Sequence, residues 1–324
     1  MWPGKAVYWE LTSLLQADWY VVPQAVDTDY IHDAVLRHPT RADILRKYTK
    51  NVTEVEAIPF QRYDLAISFD AILDIPPGVS TLFAYYAQEH WDSLYRDSLS
   101  RPAPGYDLFL AHMLDAPAQL RSIPQSISFP YVHDPDLVRC LFTSTKREVA
   151  WVDWRTLMTL AGRGPTDPWC PEAVAAAERL QKVLAIEIHC RTKTQGSHYA
   201  ISETPAWGDA AHYFRELSEC KYYIGVGDIA GAGQALADAA STGCLCIGQG
   251  DKPYHRLLCH PLCLCQHIVE LPRCLRNLRT SGSLQQEVLA HQNANLLAHF
   301  RDEPIAILQD AAKIKRGALS ANSE

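Results

Sequence analysis

Tyr222-Tyr223-Ile224-Gly225-Val226-Gly227-Asp228-Ile229-Ala230-Gly231-Ala232-Gly233-Gln234-Ala235-Leu236-Ala237-Asp238-Ala239-Ala240-Ser241-Thr242-Gly243 reads as a strand, a glycine-rich turn, a helix and a stop. The apolar run Tyr222–Gly225 predicts the strand, and the small residues Gln234–Ser241 predict the helix. Gly243 suits the helix C-terminus, and Cys244–Gly248 predicts the next strand. Four glycines fall within the nine residues 225–233. Glycines at a helix start let backbone N–H groups and the positive end of the helix dipole approach an anion, phosphate above all. A tight strand–helix connection without a ligand is the alternative. The segment is not a P-loop, because no Gly-Lys-Ser/Thr follows. It only grazes the dinucleotide fingerprint, because Gly225-x-Gly227 is followed by Gly231, one residue late.

The rest of the second half repeats the alternation. Glu148–Trp154 predicts a strand ending at Arg155, Pro171–Val183 a helix, Leu184–Cys190 a strand and Asp209–Cys220 a helix. In the first half, Ala6–Trp9, Trp19–Val22, Leu65–Phe69, Thr81–Tyr86 and Leu108–Leu110 predict strands, and Asp29–Lys50 predicts surface helices. Phe129–Asp136, with two prolines and no helical period, reads as a domain linker. Ser283–Lys315 carries a long helical pattern that Asp302-Glu303-Pro304 divides in two. Strands alternating with helices predict an α/β fold with parallel sheets, here two Rossmann-like βαβ domains facing a central cleft.

The run from Cys220 to Gly248 resembles the donor-binding domain of GT-B fold glycosyltransferases. The resemblance covers roughly residues 145–310 by pattern, and it departs from the family in placing Asp238 where a Glu is usual. It implies an N-terminal acceptor-binding domain at 1–140 and a C-terminal nucleotide-sugar donor-binding domain at 141–300. Residues 301–324 would form a helix returning to the first domain. The implied activity moves a sugar from a nucleoside diphosphate-sugar to an acceptor hydroxyl, the acceptor being a small molecule, a glycan or a polypeptide. The implied enzyme needs no metal and no cofactor beyond the donor itself. The donor contacts expected are Gly227, Gly231, Ala232, Gly233, Gln234 and Asp238, with Arg155 on the diphosphate unless it is a surface arginine. Arg191, Lys193 and Tyr254-His255-Arg256 follow later strands in the same manner, and the last group could instead cap a loop. The acceptor base would come from loops after first-half strands, at Glu89, His90 or His112, with Asp70 and Asp115 on neighbouring loops. An NAD(P)-dependent Rossmann oxidoreductase and a non-catalytic nucleotide-binding protein of the same fold remain the alternatives.

Charge and cysteine usage set further bounds. The 324 residues carry a net charge of −7. Residues 1–142 hold 11 Lys and Arg against 18 Asp and Glu, and residues 143–324 hold 19 against 19. A nucleic-acid partner is disfavoured, and the neutral second half is the better place for an anionic ligand. The chain shows no secretion signal and no transmembrane stretch, and its ten cysteines read as reduced thiols, so a cytoplasmic location is expected. Most of those cysteines lie from Cys190 onward. His255, Cys259, His260, Cys263, Cys265 and His267 invite a zinc reading, but the spacing does not match paired Cys-x-x-Cys modules, and interleaved leucines favour core thiols. Asp27-Thr28-Asp29 is read as helix N-capping rather than a metal signature. His133 and Asp134 would line the cleft floor or form a hinge. Tyr85, Tyr86 and Trp91 would stack on an acceptor or pack in the core.

Overall fold

The computed structural model describes residues 10–11, 14–21, 49–51, 58–69, 73, 75–87, 105–111, 126–130, 132–142, 144–162, 171–190, 210–227 and 233–321. The chain divides into two units, one drawn from Val7–Val132 with His299–Glu324 and the other from His133–Ala298.

In the first unit β1 (Trp19–Val21) pairs in parallel with β2 (Thr49–Asn51). A separate sheet runs β3 (Leu65–Phe69), β4 (Leu82–Ala87), β5 (Leu108–Ala111), β6 (Ser126–Ser128), all parallel and in chain order. From Leu82 to Tyr86 every residue is buried. Such a continuous run, rather than alternation, is what a parallel sheet covered on both faces requires. Tyr85 and Tyr86 are therefore core residues. Tyr86 meets Phe129 edge-on at 5.8 Å, and Phe83 meets Phe60 at 5.0 Å.

The second unit opens with α1 (Pro135–Leu141), β7 (Arg147–Val152), α2 (Trp154–Leu160), α3 (Pro171–Leu184), β8 (Glu187–His189) and α4 (Ala210–Glu219). It continues with β9 (Cys220–Gly225), α5 (Gln234–Ser241), β10 (Leu245–Gln249), α6 (Pro253–Leu258), β11 (Leu264–Cys265), α7 (Leu271–Thr280) and α8 (Gly282–Leu297). Its five strands are parallel in the order β11-β10-β9-β7-β8. Ala150, Val152, Tyr222 and Ile224 face one hydrophobic cluster, filled from α3 by Ala173, Ala177 and Leu180 and from α7 by Leu271, Leu275 and Leu278. Those helix positions recur at three- and four-residue steps, so each helix buries one stripe. Trp151 points the other way and meets Tyr213 of α4 at 5.5 Å.

A π-helical turn, Ala298–Asp302, leads into α9 (Glu303–Ala321), which belongs to the first unit. Pro304, Leu308 and Ala312 are buried at four-residue steps, and α9 packs on β4. The ammonium of Lys315 donates to the Thr81 carbonyl at 2.7 Å and to Asp107 Oδ2 at 2.6 Å. Asp107 Oδ2 also accepts the amide of Phe83 at 2.7 Å, so one carboxylate ties helix, loop and central strand. The last helix thus lies against the first sheet. Among the described residues no helix is long and apolar enough to cross a membrane.

Several expectations are corrected. The strand from Glu148 stops at Val152, because the Asp153 carboxylate caps a new helix by accepting the amide of Arg155 at 2.8 Å. Arg155 accordingly lies in a first helical turn. The linker segment is not an open hinge: Phe129, Val132 and His133 are buried, and Asp134 caps α1 through the amide of Leu137. Thr49 and Lys50 are strand rather than helix. The tail divides at the π-helical turn, and Pro304 lies within the helix that follows it from Glu303. β6 and β11, of three and two residues, were not expected. The expected strand Ala6–Trp9 lies outside the described residues.

Replacing Lys315 by Met keeps the aliphatic stem and removes both hydrogen bonds. We expect a loss of about 1–2 kcal/mol in chemical denaturation. An unchanged midpoint would show that this anchor contributes nothing.

Candidate functional site

β7 is the first strand of the second sheet, β8 lies on one side of it and β9 on the other. The chain direction across the sheet reverses between β7 and β9, so the loops leaving their C-terminal ends diverge. Open α/β sheets bind ligands in that crevice. Here it holds a pocket that opens to solvent. The β7 end contributes Asp153, Arg155 and Thr156, and the β9 end contributes Tyr223, Gly225 and Gly227. Gly233, Ala235 and Leu236 come from the start of α5, and Lys252 and His255 from the segment after β10.

Two glycines are required by the geometry. Gly233 caps α5 at φ +73°, and a Cβ there would stand 2.7 Å from the Cβ and Cγ of Tyr254. A Cβ on Gly227 would stand 2.6 Å from Thr159 Oγ1. The N-cap of α5 is Gly233, so the cap itself offers no side-chain acceptor to the first turn.

The charges converge on the same space. Arg155, in the first turn of α2, places its guanidinium over the Trp154 ring at 5.0 Å. Lys252 precedes α6, with its ammonium 3.7 Å from Asp251. The carboxylate of Asp153 is buried and engaged on both oxygens. Oδ1 accepts the Arg155 amide, and Oδ2 accepts the Tyr223 hydroxyl at 2.7 Å and lies 3.5 Å from Arg155 Nη1. Burial first, and the neighbouring Asp153 second, push the Tyr223 phenol far above its ordinary range, so it stays a donor. His255 Nδ1 accepts the amide of Gln249 at 2.8 Å, which assigns the ring proton of the neutral form to Nε2. Burial holds its pKa down to about 4, so the ring is neutral near pH 7.

Of the residues expected from the sequence, Arg155, Gly227 and Gly233 line one pocket. Gln234 and Asp238 are on α5 but buried away from its lining. Asp238 accepts the hydroxyl of Tyr213 at 3.2 Å and lies 3.7 Å from His133 Nδ1. Gly231 and Ala232 lie outside the described residues, as do Glu89, His90, His112, Asp70, Asp115, Trp91, Arg191, Lys193 and Asp27–Asp29. His255 joins the pocket, Tyr254 is buried beneath Gly233, and Arg256 Nη1 donates to the Gly250 carbonyl at 3.4 Å. Cys259, Cys263 and Cys265 are buried, and His260 Nδ1 accepts the amide of Leu262. Among the described residues no three His, Cys, Asp or Glu side chains converge as a metal site.

Sequence reasoning missed Asp153, Tyr223 and Lys252. Asp153 was legible as a capping acid before Trp-Arg-Thr, and Lys252 as a cation just past a strand. Nothing local marks Tyr223, whose hydroxyl matters only because β7 lies beside β9.

No protein-family model matches the chain, and no curated protein matches it. Similar solved structures include the pneumococcal O-GlcNAc transferase GtfA in complex with UDP and GlcNAc, at 12% identity over 72% of this chain and 53% of that one, with a TM-score of 0.42. The GtfA/B complex is similar at 13% identity over 86% of this chain and 61% of that one, with a TM-score of 0.45. A point mutant of T4 phage BGT in complex with UDP-glucose is similar at 12% identity over 83% of this chain and 86% of that one, with a TM-score of 0.42. This chain therefore spans less than two thirds of the first two.

Two outcomes are expected from the site geometry. Gly233→Ala meets both a left-handed backbone and the Tyr254 side chain, and should cost about 2 kcal/mol or more in denaturation. His255 takes up its proton more readily when unfolded, because its folded pKa is depressed from 6.5 to about 4. Its contribution to stability is therefore complete above pH 6.5 and is lost as pH falls toward 4. His255→Gln should flatten the stability–pH slope in that window; an unaltered slope would show that the ring titrates normally.

Proposed function

We propose that the protein is a glycosyltransferase that transfers a sugar from a nucleoside diphosphate-sugar to an acceptor hydroxyl. The observation that carries this reading is the convergence of Arg155, Lys252 and the glycine-capped N-terminus of α5 on one pocket at the β7/β9 reversal. Two cations and a helix dipole match two linked phosphates, and the glycines at 227 and 233 let Thr159 and Tyr254 pack closely behind the pocket wall. As the bond from the anomeric carbon to the β-phosphate oxygen breaks, its electron pair passes to that oxygen. Arg155 and Lys252 would stabilise the charge that develops there. His255, with its Nε2 proton, adds a neutral donor. The same two side chains would supply the positive charge that a divalent ion supplies in other transferases, which supports metal independence.

The acceptor base is proposed from the sequence as Glu89, His90 or His112. Gln234 and Asp238 are proposed to shape the donor helix rather than to touch the diphosphate. The acidic first half supports a small-molecule, glycan or polypeptide acceptor over nucleic acid. The nine described cysteines are free thiols, which supports a reducing compartment such as the cytoplasm.

Thermal melting against UDP, GDP, TDP, ADP and their sugars, with NADH and NADPH alongside, tests the reading. One nucleoside diphosphate should raise the melting temperature, by about 2.7 kcal/mol of stabilisation at a hundredfold excess over Kd. Lys252→Ala should largely remove the shift. A shift with NADH or NADPH alone would point to the oxidoreductase, and no shift with any nucleoside diphosphate would sink the transferase.

A further inference from the structure

We infer that Asp153 and Tyr223 form a positioning brace for Arg155, so that an acidic side chain in this pocket strengthens the binding of an anion. The inference rests on the reading of the pocket as a diphosphate site.

A carboxylate beside a phosphate is repulsive unless its charge is spent elsewhere. Here both oxygens are spent. Oδ1 accepts the Arg155 amide at 2.8 Å, and Oδ2 accepts the Tyr223 hydroxyl at 2.7 Å and faces Arg155 Nη1 at 3.5 Å. The backbone is held as firmly: the Asp153 amide donates to the Ile224 carbonyl at 2.8 Å, and the Thr156 amide to the Asp153 carbonyl at 3.0 Å. Tyr223 is 1% exposed, so its hydroxyl has little freedom to follow a shifted partner. Gly225 keeps that ring in place by what it lacks, since a Cβ there would stand 2.9 Å from Tyr223 Cε1. The Trp154 face, 5.0 Å from the guanidinium, bounds the other side of Arg155. An arginine so confined is already ordered before the anion arrives, and binding does not bear the cost of ordering it. Tyr223 acts at one remove, through Asp153, and touches no ligand in this scheme.

The alternative role for Asp153 is simple repulsion of anions, and the two roles predict opposite signs. Asp153→Asn retains the shape and the cap acceptor and removes the charge. Tyr223→Phe removes only the hydroxyl. Affinity for inorganic pyrophosphate and for UDP would be measured by calorimetry in the full chain, with far-UV melting of each ligand-free variant as the folding control. Each variant should bind pyrophosphate about fivefold more weakly, and neither should weaken binding further once Arg155→Ala is present. Tighter or unchanged binding by Asp153→Asn would overturn the brace. So would an equal loss in the Arg155→Ala background, which would mark a general structural effect. Should one variant fail to fold, the other carries the same cycle. Wild-type protein that binds pyrophosphate but no nucleoside diphosphate would overturn the transferase and leave the brace standing, whereas binding of neither would overturn both.

Discussion

The amide of Asp153 donates to the carbonyl of Ile224 at 2.8 Å, one step beyond the last paired residues of β7 and β9. That bond keeps two strands together to the point where one chain turns into α2 and the other into the glycine-rich segment. Everything at the pocket hangs from this divergence. It brings the Asp153 carboxylate within reach of the Tyr223 hydroxyl, puts Arg155 in a first helical turn, and leaves space between the departing loops. Without the pairing, Tyr223 would not meet Asp153, since the two are 70 residues apart in the chain.

The electrostatics follow from that placement. Buried polar groups are tolerated when their bonds are made. Asp153 shows how: two N–H or O–H donors and a guanidinium surround it. Asp238 is also buried; it accepts the Tyr213 hydroxyl and lies 3.7 Å from His133 Nδ1. His133 is held neutral, its pKa lowered to about 3 by burial. The two acids differ in what their partners do. The partners of Asp153 reach the pocket, and Tyr213 ties Asp238 of helix α5 to α4.

Much of the architecture was legible from residues in sequence order. β3 and α5 occupy the segments expected for them, because each is a bounded run of one residue character. The misreadings have a common source. Glu148–Trp154 looked like one strand because its apolar character resumes at Trp154, yet the capping acid Asp153 ends the strand before that residue. Phe129–Asp136 was read as a domain linker, and the two units do divide between Val132 and His133, but proline signals irregular backbone without saying that it is buried. In the site, Arg155, Gly227 and Gly233 were found by position after a strand or at a helix start. Asp238 was named by its place in a helix, yet its direction from the helix axis sends it to Tyr213 instead of the pocket.

Residue order alone was enough for the α/β alternation, the glycine-rich start of α5 and the neutral charge of the half that holds the pocket. These are local properties: periodicity, glycine spacing and composition are set by neighbours a few residues apart. The strand order β11-β10-β9-β7-β8, and with it the meeting of particular loops, emerged only on folding. Strand order depends on contacts between segments separated by tens of residues, whose energies leave no periodic trace in either segment. The meeting of Tyr223 with Asp153 is of that kind, and so is the convergence of Lys252 and His255 on the same space.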